Sequence, residues 1–207
     1  DRYTQEYTKF FGDRWKAIHP DIPVLHCDSV NAQNVYERLK RESPFLLLDH
    51  GTSVVQDATL DLADLALNLH WGLSPYYRGT RGTHWALINW DPYNIGVTVH
   101  RLNHVIDGGE ILAQQRAELR GDETVNAINM QLTRLGTDLM LRALDKIEKG
   151  EPLRFFPQDL SRGFLTSRRQ WNLNLQRQVD HIERNGILRL MLERPARRER
   201  LPIVELL

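Results

Sequence analysis

The stretch that decides the fold is LNLHWGLSPYYRG, residues 67–79, at the start of a longer segment that ends at residue 113. A short, mostly apolar run at residues 65–69 is followed within a few residues by Gly72 and Pro75, and this pattern predicts a buried strand that ends in a loop. Asn68 and His70 stand at its end, where alternate side chains point to the same face. An amide and an imidazole at the carboxyl end of a strand can stabilise an oxyanion and carry a proton.

A second strand and a glycine-bearing loop follow this stretch. Residues 96–102 are rich in β-branched side chains and predict a strand. Asp107 comes next, directly before Gly108 and Gly109, which allow the backbone to turn tightly and to approach a ligand. Asp107 is distant from His70 along the chain, so only folding could bring the two together. A carboxylate beside an imidazole raises its pKa and orients the ring.

Each of these three residues also has an ordinary structural explanation. An asparagine at a strand end commonly forms a turn, and so does an aspartate before two glycines. A single histidine is commonly a core or surface residue with satisfied hydrogen bonds. Composition and spacing alone therefore leave both interpretations open for Asn68, His70 and Asp107.

Four blocks of this region, in their order and separation, resemble the folate-dependent formyltransferases. The blocks are NLH at residues 68–70, LSPYYRG at residues 73–79, GVT at residues 96–98 and IDGGEI at residues 106–111. The resemblance is dense from about residue 67 to residue 112 and weaker outside it. The segment HWGLSPYYRG, residues 70–79, is most similar to the sugar N-formyltransferase branch of the family.

The resemblance implies an α/β fold with a mostly parallel, Rossmann-like sheet and flanking helices. We expect a catalytic domain over residues 1–152 and a small carboxyl-terminal extension over residues 153–207. Members of the family begin with a strand-helix-strand unit that residues 1–23 do not contain. We therefore expect a sheet that is short at its amino end, either because the chain is truncated upstream or because this part is reduced.

The hydrophobic pattern outside the central stretch predicts further elements. Tyr3, Tyr7, Phe10 and Phe11 have helical spacing. Residues 45–49 are typical of a strand covered on both faces, and residues 24–27 favour a short strand. Helices are predicted at residues 31–41, 58–66, 83–90, 122–149 and 172–193, the last weakened at Gly186. A basic run at residues 194–200 indicates a solvated face, or a contact with substrate phosphates or a subunit.

The resemblance also implies roles for individual residues. Three are expected to be catalytic: Asn68, His70 and Asp107. Five are expected to border the folate: His50, Gly51, Thr52, Val105 and Gly108. Three more are expected to contact the acceptor, although they could equally pin the loop: Tyr76, Tyr77 and Arg78.

The reaction implied by the family moves a formyl group from N10-formyltetrahydrofolate to a neutral primary amine. His70 and Asp107 would take up the amine proton, and Asn68 with protonated His70 would stabilise the tetrahedral oxyanion. The expected acceptor is a nucleotide-linked amino sugar. Two alternatives stay open: a formyltetrahydrofolate hydrolase (deformylase), in which water replaces the amine, and an inactive folate-binding remnant of a truncated formyltransferase.

Composition limits the remaining possibilities. Lys and Arg together number 27, as do Asp and Glu, so the formal net charge of zero argues against a nucleic-acid partner. The single cysteine, Cys27, excludes an internal disulfide, and the spacing of His84, His100 and His104 matches no structural zinc pattern, so no metal is expected. Neither an apolar run of about 20 residues nor a signal peptide is visible, and we expect a cytoplasmic protein without membrane partners, with a homodimer as the candidate assembly.

Overall fold

Residues 21–194 and 200–206, together with Thr8 and Gly12, are described by a computed structural model of the chain. The helix predicted from Tyr3, Tyr7, Phe10 and Phe11 lies outside the described residues, and so does most of the basic run at residues 194–200.

The strands in the described part of the chain form two sheets. They are β1 (Leu46–Asp49), β2 (Leu65–His70), β3 (Tyr77–Gly79), β4 (Gly96–Arg101), β5 (Ile111–Arg116) and β6 (Phe164–Thr166). The main sheet has the order β1-β2-β4-β5, and β3 pairs with β6 in a small second sheet. The two strands predicted from the central stretch, β2 and β4, are therefore neighbours.

The main sheet and its flanking helices confirm the predicted α/β class. The predicted parallel pairing holds for β1 and β2, but β2–β4 and β4–β5 are antiparallel. The mostly parallel arrangement that we expected is therefore not found in these two pairs. One reason is that only residues 102–110 join β4 to β5, whereas parallel neighbours need a crossover of about a dozen residues or more.

The helices of the described residues are α1 (Gln33–Glu42), α2 (Asp57–Leu60), α3 (Gly82–Ile88), α4 (Val125–Glu148), α5 (Leu173–Arg184) and α6 (Ile187–Glu193). The long amphipathic helix is confirmed as α4, but it begins after Thr124, whose side chain accepts a hydrogen bond from the Ala127 N–H. The predicted weak point at Gly186 is a break, since Gly186 has a φ of +60° and separates α5 from α6.

Three expectations for the amino-terminal part are wrong. Residues 24–27 are exposed and form no strand, and the helix predicted at residues 58–66 is the single turn α2. β1 is not covered on both faces, because Phe45 is 56% exposed and Leu48 is 45% exposed. In this part of the chain the apolar pattern has no packed layer above it among the described residues.

The hydrophobic core lies between the main sheet and α4. Leu67, Val97 and Leu112 from the sheet are at most 1% exposed, and they belong to the same buried cluster as Ile128 and Leu132 of α4. Burying a leucine of this kind contributes roughly 2 kcal/mol. The core therefore fixes the strands whose ends carry the predicted catalytic residues.

The carboxyl-terminal segment packs against the rest of the fold at several places. Phe156 exchanges two backbone hydrogen bonds with Ile111, of 2.8 and 2.9 Å, and the Gln114 N–H donates to the Val204 carbonyl at 2.6 Å. The domain boundary at residue 152 stays a prediction. Within the described residues, no helix combines the length and the apolar character that crossing a membrane requires.

Candidate active site

Three neighbouring strands place polar side chains in one row across the main sheet. Asn68 of β2 lies opposite His100 of β4 and, on its other side, opposite Asp49 of β1. Residues that face each other across strands project from the same side of a sheet. Asn68, His70 and His100 are each less than 10% exposed. These side chains therefore form a buried polar patch on one face of the sheet, at the end of β1 and β2.

Asp107 reaches this row from the loop that follows β4. Its Oδ1 accepts a hydrogen bond from Asn68 Nδ2 at 3.2 Å and lies 3.4 Å from His100 Nε2. Its Oδ2 accepts from the Gly79 N–H at 2.7 Å and lies 3.4 Å from His70 Nδ1. The structure thus brings together the three residues predicted to be catalytic, while their catalytic role stays a prediction.

The contacts of His70 determine which of its nitrogens can take a proton. Nε2 lies 2.7 Å from the Tyr77 carbonyl, which can only accept, so Nε2 carries a hydrogen. In the neutral ring Nδ1 then presents its lone pair toward the Asp107 carboxylate. A proton added at Nδ1 would be shared with Asp107, so this nitrogen is a site where a proton can be gained.

The electrostatics of the pair favour an ionised carboxylate and a neutral imidazole. Burial alone would raise the pKa of Asp107, but the interactions with His70, which is protonated in the acidic range where Asp107 titrates, with His100 and with the Gly79 N–H outweigh it and lower the pKa to about 2. Burial lowers the pKa of His70, and Asp107 offsets this effect only in part. At neutral pH the pair can therefore accept a proton, as a general base must.

Asn68 is held firmly by its neighbours. Its Nδ2 group lies 3.1 Å from His100 Nε2 in addition to its bond to Asp107. The Nδ1 of His100 lies 2.7 Å from the Arg101 carbonyl and therefore donates, which leaves Nε2 to accept from Asn68. Both amide hydrogens are thus engaged, and an oxyanion would have to take one of them from Asp107 or His100.

Two site residues were missed by reasoning from the sequence. His100, only 1% exposed, was considered for a metal site alone, although the period-two pattern of residues 96–101 places it on one face with Thr98. Asp49 was interpreted as the end of an apolar strand. Burial raises the pKa of Asp49, and the Thr52 hydroxyl and the charge of His50 offset this in part.

The residues expected to border the folate lie in two groups near this sheet end. His50 follows β1, and its Nδ1 lies 2.8 Å from the Leu69 carbonyl while its ring is 5.3 Å from that of Trp71. Gly51 and Thr52 continue this exposed loop. Val105 and Gly108 belong to the loop of Asp107, where a Cβ on Gly108 would come within 2.5 Å of the Val105 side chain. A contact with folate stays a prediction for all five residues.

The residues expected to contact the acceptor differ in exposure. Tyr76 and Tyr77 are 7% and 5% exposed, and the Tyr77 hydroxyl donates to Asp91 at 2.6 Å. Their burial fits the alternative that these side chains pin the loop. Arg78 is half-buried, and its Nε has no hydrogen-bond partner among the described residues. An acceptor contact stays a prediction for the three.

A groove elsewhere on the molecule does not coincide with this site. A groove of about 600 Å³ lies between α1 and the loops beside it, and of the residues predicted for the site only Thr52 lines it. Asn68, His70 and Asp107 do not. Among the residues that the structure describes, no group of three or more His, Cys, Asp or Glu side chains is placed so that it could hold a metal ion.

An amide and an imidazole at one end of the sheet, with an ionised carboxylate from the next loop, form an arrangement that can exchange a proton and stabilise an oxyanion. Residues 26–144 match the formyl transferase family, and this match covers more than half of the chain. The chain therefore belongs to the formyl transferase family, which confirms the family predicted from residues 67–112.

The curated relatives with similar sequences include methionyl-tRNA formyltransferases. The methionyl-tRNA formyltransferase of Porphyromonas gingivalis is 28% identical over 148 residues, which are 71% of this chain and 45% of that protein. The chain thus spans about half the length of the curated relatives it matches.

Solved structures with the same fold include a sugar N-formyltransferase of a Shewanella species, with a TM-score of 0.57 and 20% identity over 74% of this chain and 65% of that one. Another is the formyltransferase PseJ of Anoxybacillus kamchatkensis, solved with UDP-4,6-dideoxy-4-formamido-L-AltNAc and tetrahydrofolate. Its TM-score is 0.53 at 20% identity, over 71% of this chain and 72% of that one. At this identity the likeness establishes the fold alone.

Proposed function

We propose that the chain carries an N-formyltransferase centre that moves a formyl group from N10-formyltetrahydrofolate to a primary amine. The observation that supports this most directly is the contact of Asp107 with both Asn68 and His70, in a chain of the formyl transferase family. Asp107 lies on the loop after β4 whereas Asn68 and His70 lie on β2, so a chance juxtaposition of all three in the order typical of the family is a weak explanation.

The first step in this proposal is the activation of the amine. The amine nitrogen forms a bond to the formyl carbon, and a proton must leave the nitrogen during or after this attack. His70 Nδ1, with its lone pair toward the Asp107 carboxylate, is the group that receives this proton. The imidazolium and the carboxylate then form an ion pair inside a buried site, where their attraction is strong.

The second step is the collapse of the tetrahedral intermediate. The former carbonyl oxygen carries a negative charge, which the positive charge of protonated His70 and one Asn68 N–H, released from Asp107 or His100, would stabilise. When the carbon–N10 bond breaks, the proton held by His70 passes to N10, and the site returns to its starting state. His100 takes part by holding the Asn68 amide in place.

The acceptor that we propose is a nucleotide-linked amino sugar. The solved PseJ complex contains a UDP-linked formamido sugar together with tetrahydrofolate, on the same fold. Arg78 lies beside Gly79, whose N–H binds Asp107, and a guanidinium group suits an anionic group of such a sugar. A formal net charge of zero offers no general attraction to tRNA. A cytoplasmic location and a homodimer stay predictions.

The test is to incubate the protein with N10-formyltetrahydrofolate and a panel of nucleotide-linked amino sugars, and to look by mass spectrometry for an added formyl group. We expect formylation of at least one amine and tetrahydrofolate in equal amount. Formate released without any amine would instead identify a deformylase. Folate binding without either product would leave a binding protein and refute the proposed activity.

A further inference from the structure

The side chain of Gln158 holds the loop that carries Asp107. Gln158 lies between α4 and β6, and its Nε2 donates to the Asp107 carbonyl at 3.0 Å and also to the Gly109 carbonyl. One amide group therefore bridges two carbonyls on either side of Gly108. This contact joins residues that are 51 positions apart in sequence.

The loop needs such support because its backbone is unusual. Asp107 has a φ of +47°, in the left-handed region that non-glycine residues seldom adopt. The loop also lies very close to β4, since a Cβ on Gly109 would come within 1.9 Å of the Arg101 carbonyl. A small rotation at Asp107 would carry its carboxylate away from His70 and from the Gly79 N–H.

The same carboxyl-terminal segment also holds the donor on the other side of the carboxylate. The Thr166 hydroxyl lies 3.0 Å from the Arg78 carbonyl and 2.7 Å from the Thr80 carbonyl, on both sides of Gly79. β6 pairs with β3 in register, with Gly79 opposite Thr166. Both the loop of Asp107 and the Gly79 N–H that binds it are therefore fixed by residues 158–166.

We propose that Gln158 is a positioning residue that fixes the Asp107 carboxylate against His70 and the Gly79 N–H, so that the carboxyl-terminal segment helps to build the active site. The catalytic part of this inference rests on the proposed formyl transfer. The structural part, that Gln158 sets the contact between Asp107 and His70, stands on its own.

Two substitutions separate the hydrogen bonds from simple packing. Gln158→Ala removes the side-chain amide, whereas Gln158→Glu keeps the size but puts a carboxylate, which cannot donate, beside two carbonyl oxygens. We expect either variant to lower kcat for formyl transfer about 10- to 100-fold, as misplacement of a catalytic group does, with KM for both substrates nearly unchanged. Parent-like kcat in Gln158→Glu would overturn the proposal.

A matched control is Gln131→Ala. Gln131 on α4 also donates through its amide to a backbone carbonyl, that of Glu118, at 3.2 Å, but it touches none of the site residues described above. Its removal should leave kcat at the parent value. In an Asp107→Asn background, Gln158→Ala should cost little more, because both changes act on the same contact. A full additional loss there would show that Gln158 acts by another route.

A titration without substrate tests the structural part separately from the function. The Asp107 charge raises the pKa of His70, while His50 and His100 act in the opposite direction. When Asp107 moves away, the pKa of His70 should fall further, which side-chain NMR of labelled histidine can follow in folded Gln158→Ala. An unchanged His70 titration would refute the positioning role even if formyl transfer were established. A fall would support it even if no amine were formylated.

Discussion

The amino-terminal layer, formed by α1 and β1, and the neighbouring strands β2 and β4 are buried to very different extents. α1 contributes no buried residue, and Leu48 of β1 is 45% exposed, whereas Leu67, Val97 and Val99 are 0% exposed. β1 is nevertheless paired with β2 along its whole length. The sheet is thus continuous in hydrogen bonding but not in packing.

This difference divides the candidate site. Asn68, His70 and His100 stand on the tightly packed strands, where neighbouring side chains restrict their rotamers. His50, Gly51 and Thr52, expected to border the folate, follow the loosely packed β1. We infer that the chemistry is set by rigid elements, while three of the five residues expected to border the folate lie on a part with few buried contacts and lower local stability.

The largest expected effect is a loss of turnover, and it is expected for residues on the well-packed strand β2 and on the loop after β4. Asn68→Ala, His70→Ala and Asp107→Ala should each lower kcat about 10²- to 10³-fold with KM largely kept, because each removes a group that acts on the transition state. Steady-state kinetics of formyl transfer measure this. His181→Ala, which removes an exposed histidine on α5, should retain the parent rate. Near-normal turnover in all three variants would remove the proposed mechanism.

A smaller effect is expected on the free energy of unfolding, and it tests the difference in packing between β1 and β2 directly. Leu67→Ala opens a cavity in the core and should lower the free energy of unfolding by about 3 kcal/mol. Leu48→Ala, on the exposed face of β1, should lower it by less than about 1 kcal/mol. Urea denaturation of both variants checks the difference. Equal losses at the two positions would mean that β1 is covered by a layer that residues 21–194 do not provide.

The same contrast explains what could be predicted from the sequence. The strand at β2 was predicted from a short apolar run and the helix α4 from an apolar period of 3.6, and burial enforces both patterns. Residues 45–49 carry the same kind of apolar pattern, but an apolar run does not say what lies above it. The coverage of β1 was therefore predicted wrongly, although its strand was found.

The site was predictable only in part, for a related reason. Composition left ordinary explanations open for Asn68, His70 and Asp107, and only the family resemblance predicted that they converge. The period-two pattern of β4 indicates the face of His100 but not its neighbour Asn68, which depends on strand register, and Gln158 gave no local signal because its role depends on a contact between distant segments. Such information is absent from the spacing of residues along the chain.

The next prediction concerns the buried carboxylate. The pKa of Asp107 is lowered to about 2 from an ordinary 3.8, so its charge stabilises the fold above pH 4 and this contribution is lost as pH falls through 2. Asp107→Asn should therefore lower the free energy of unfolding at pH 7 by about 2 kcal/mol. Its deficit should be smaller at pH 2 than at pH 4, as measured by denaturant titration. Asp138→Asn, which changes an exposed carboxylate on α4, should show no comparable deficit.

The smallest expected effect has the opposite sign and belongs to Asp49, on the loosely packed side. Burial is the largest influence on its carboxyl and raises the pKa, so the ionised form is less favourable in the folded chain than in the unfolded one. Asp49→Asn, which puts an uncharged amide in place of the carboxylate, should therefore raise the free energy of unfolding at pH 7. The loss of the hydrogen bond from Thr52 reduces this gain.

The pH dependence distinguishes this charge effect of Asp49→Asn from a change in packing. As pH falls through the raised pKa of Asp49, the parent chain also becomes neutral at this position, so the advantage of the variant should shrink and be absent below the ordinary value of 3.8. An advantage that persists unchanged at pH 3 would come from packing or from the unfolded state. A loss of stability at pH 7 would instead mean that the Asp49 charge stabilises the fold through His50 and His100. The carboxylates of Asp49 and Asp107 would then act on the site in the same way.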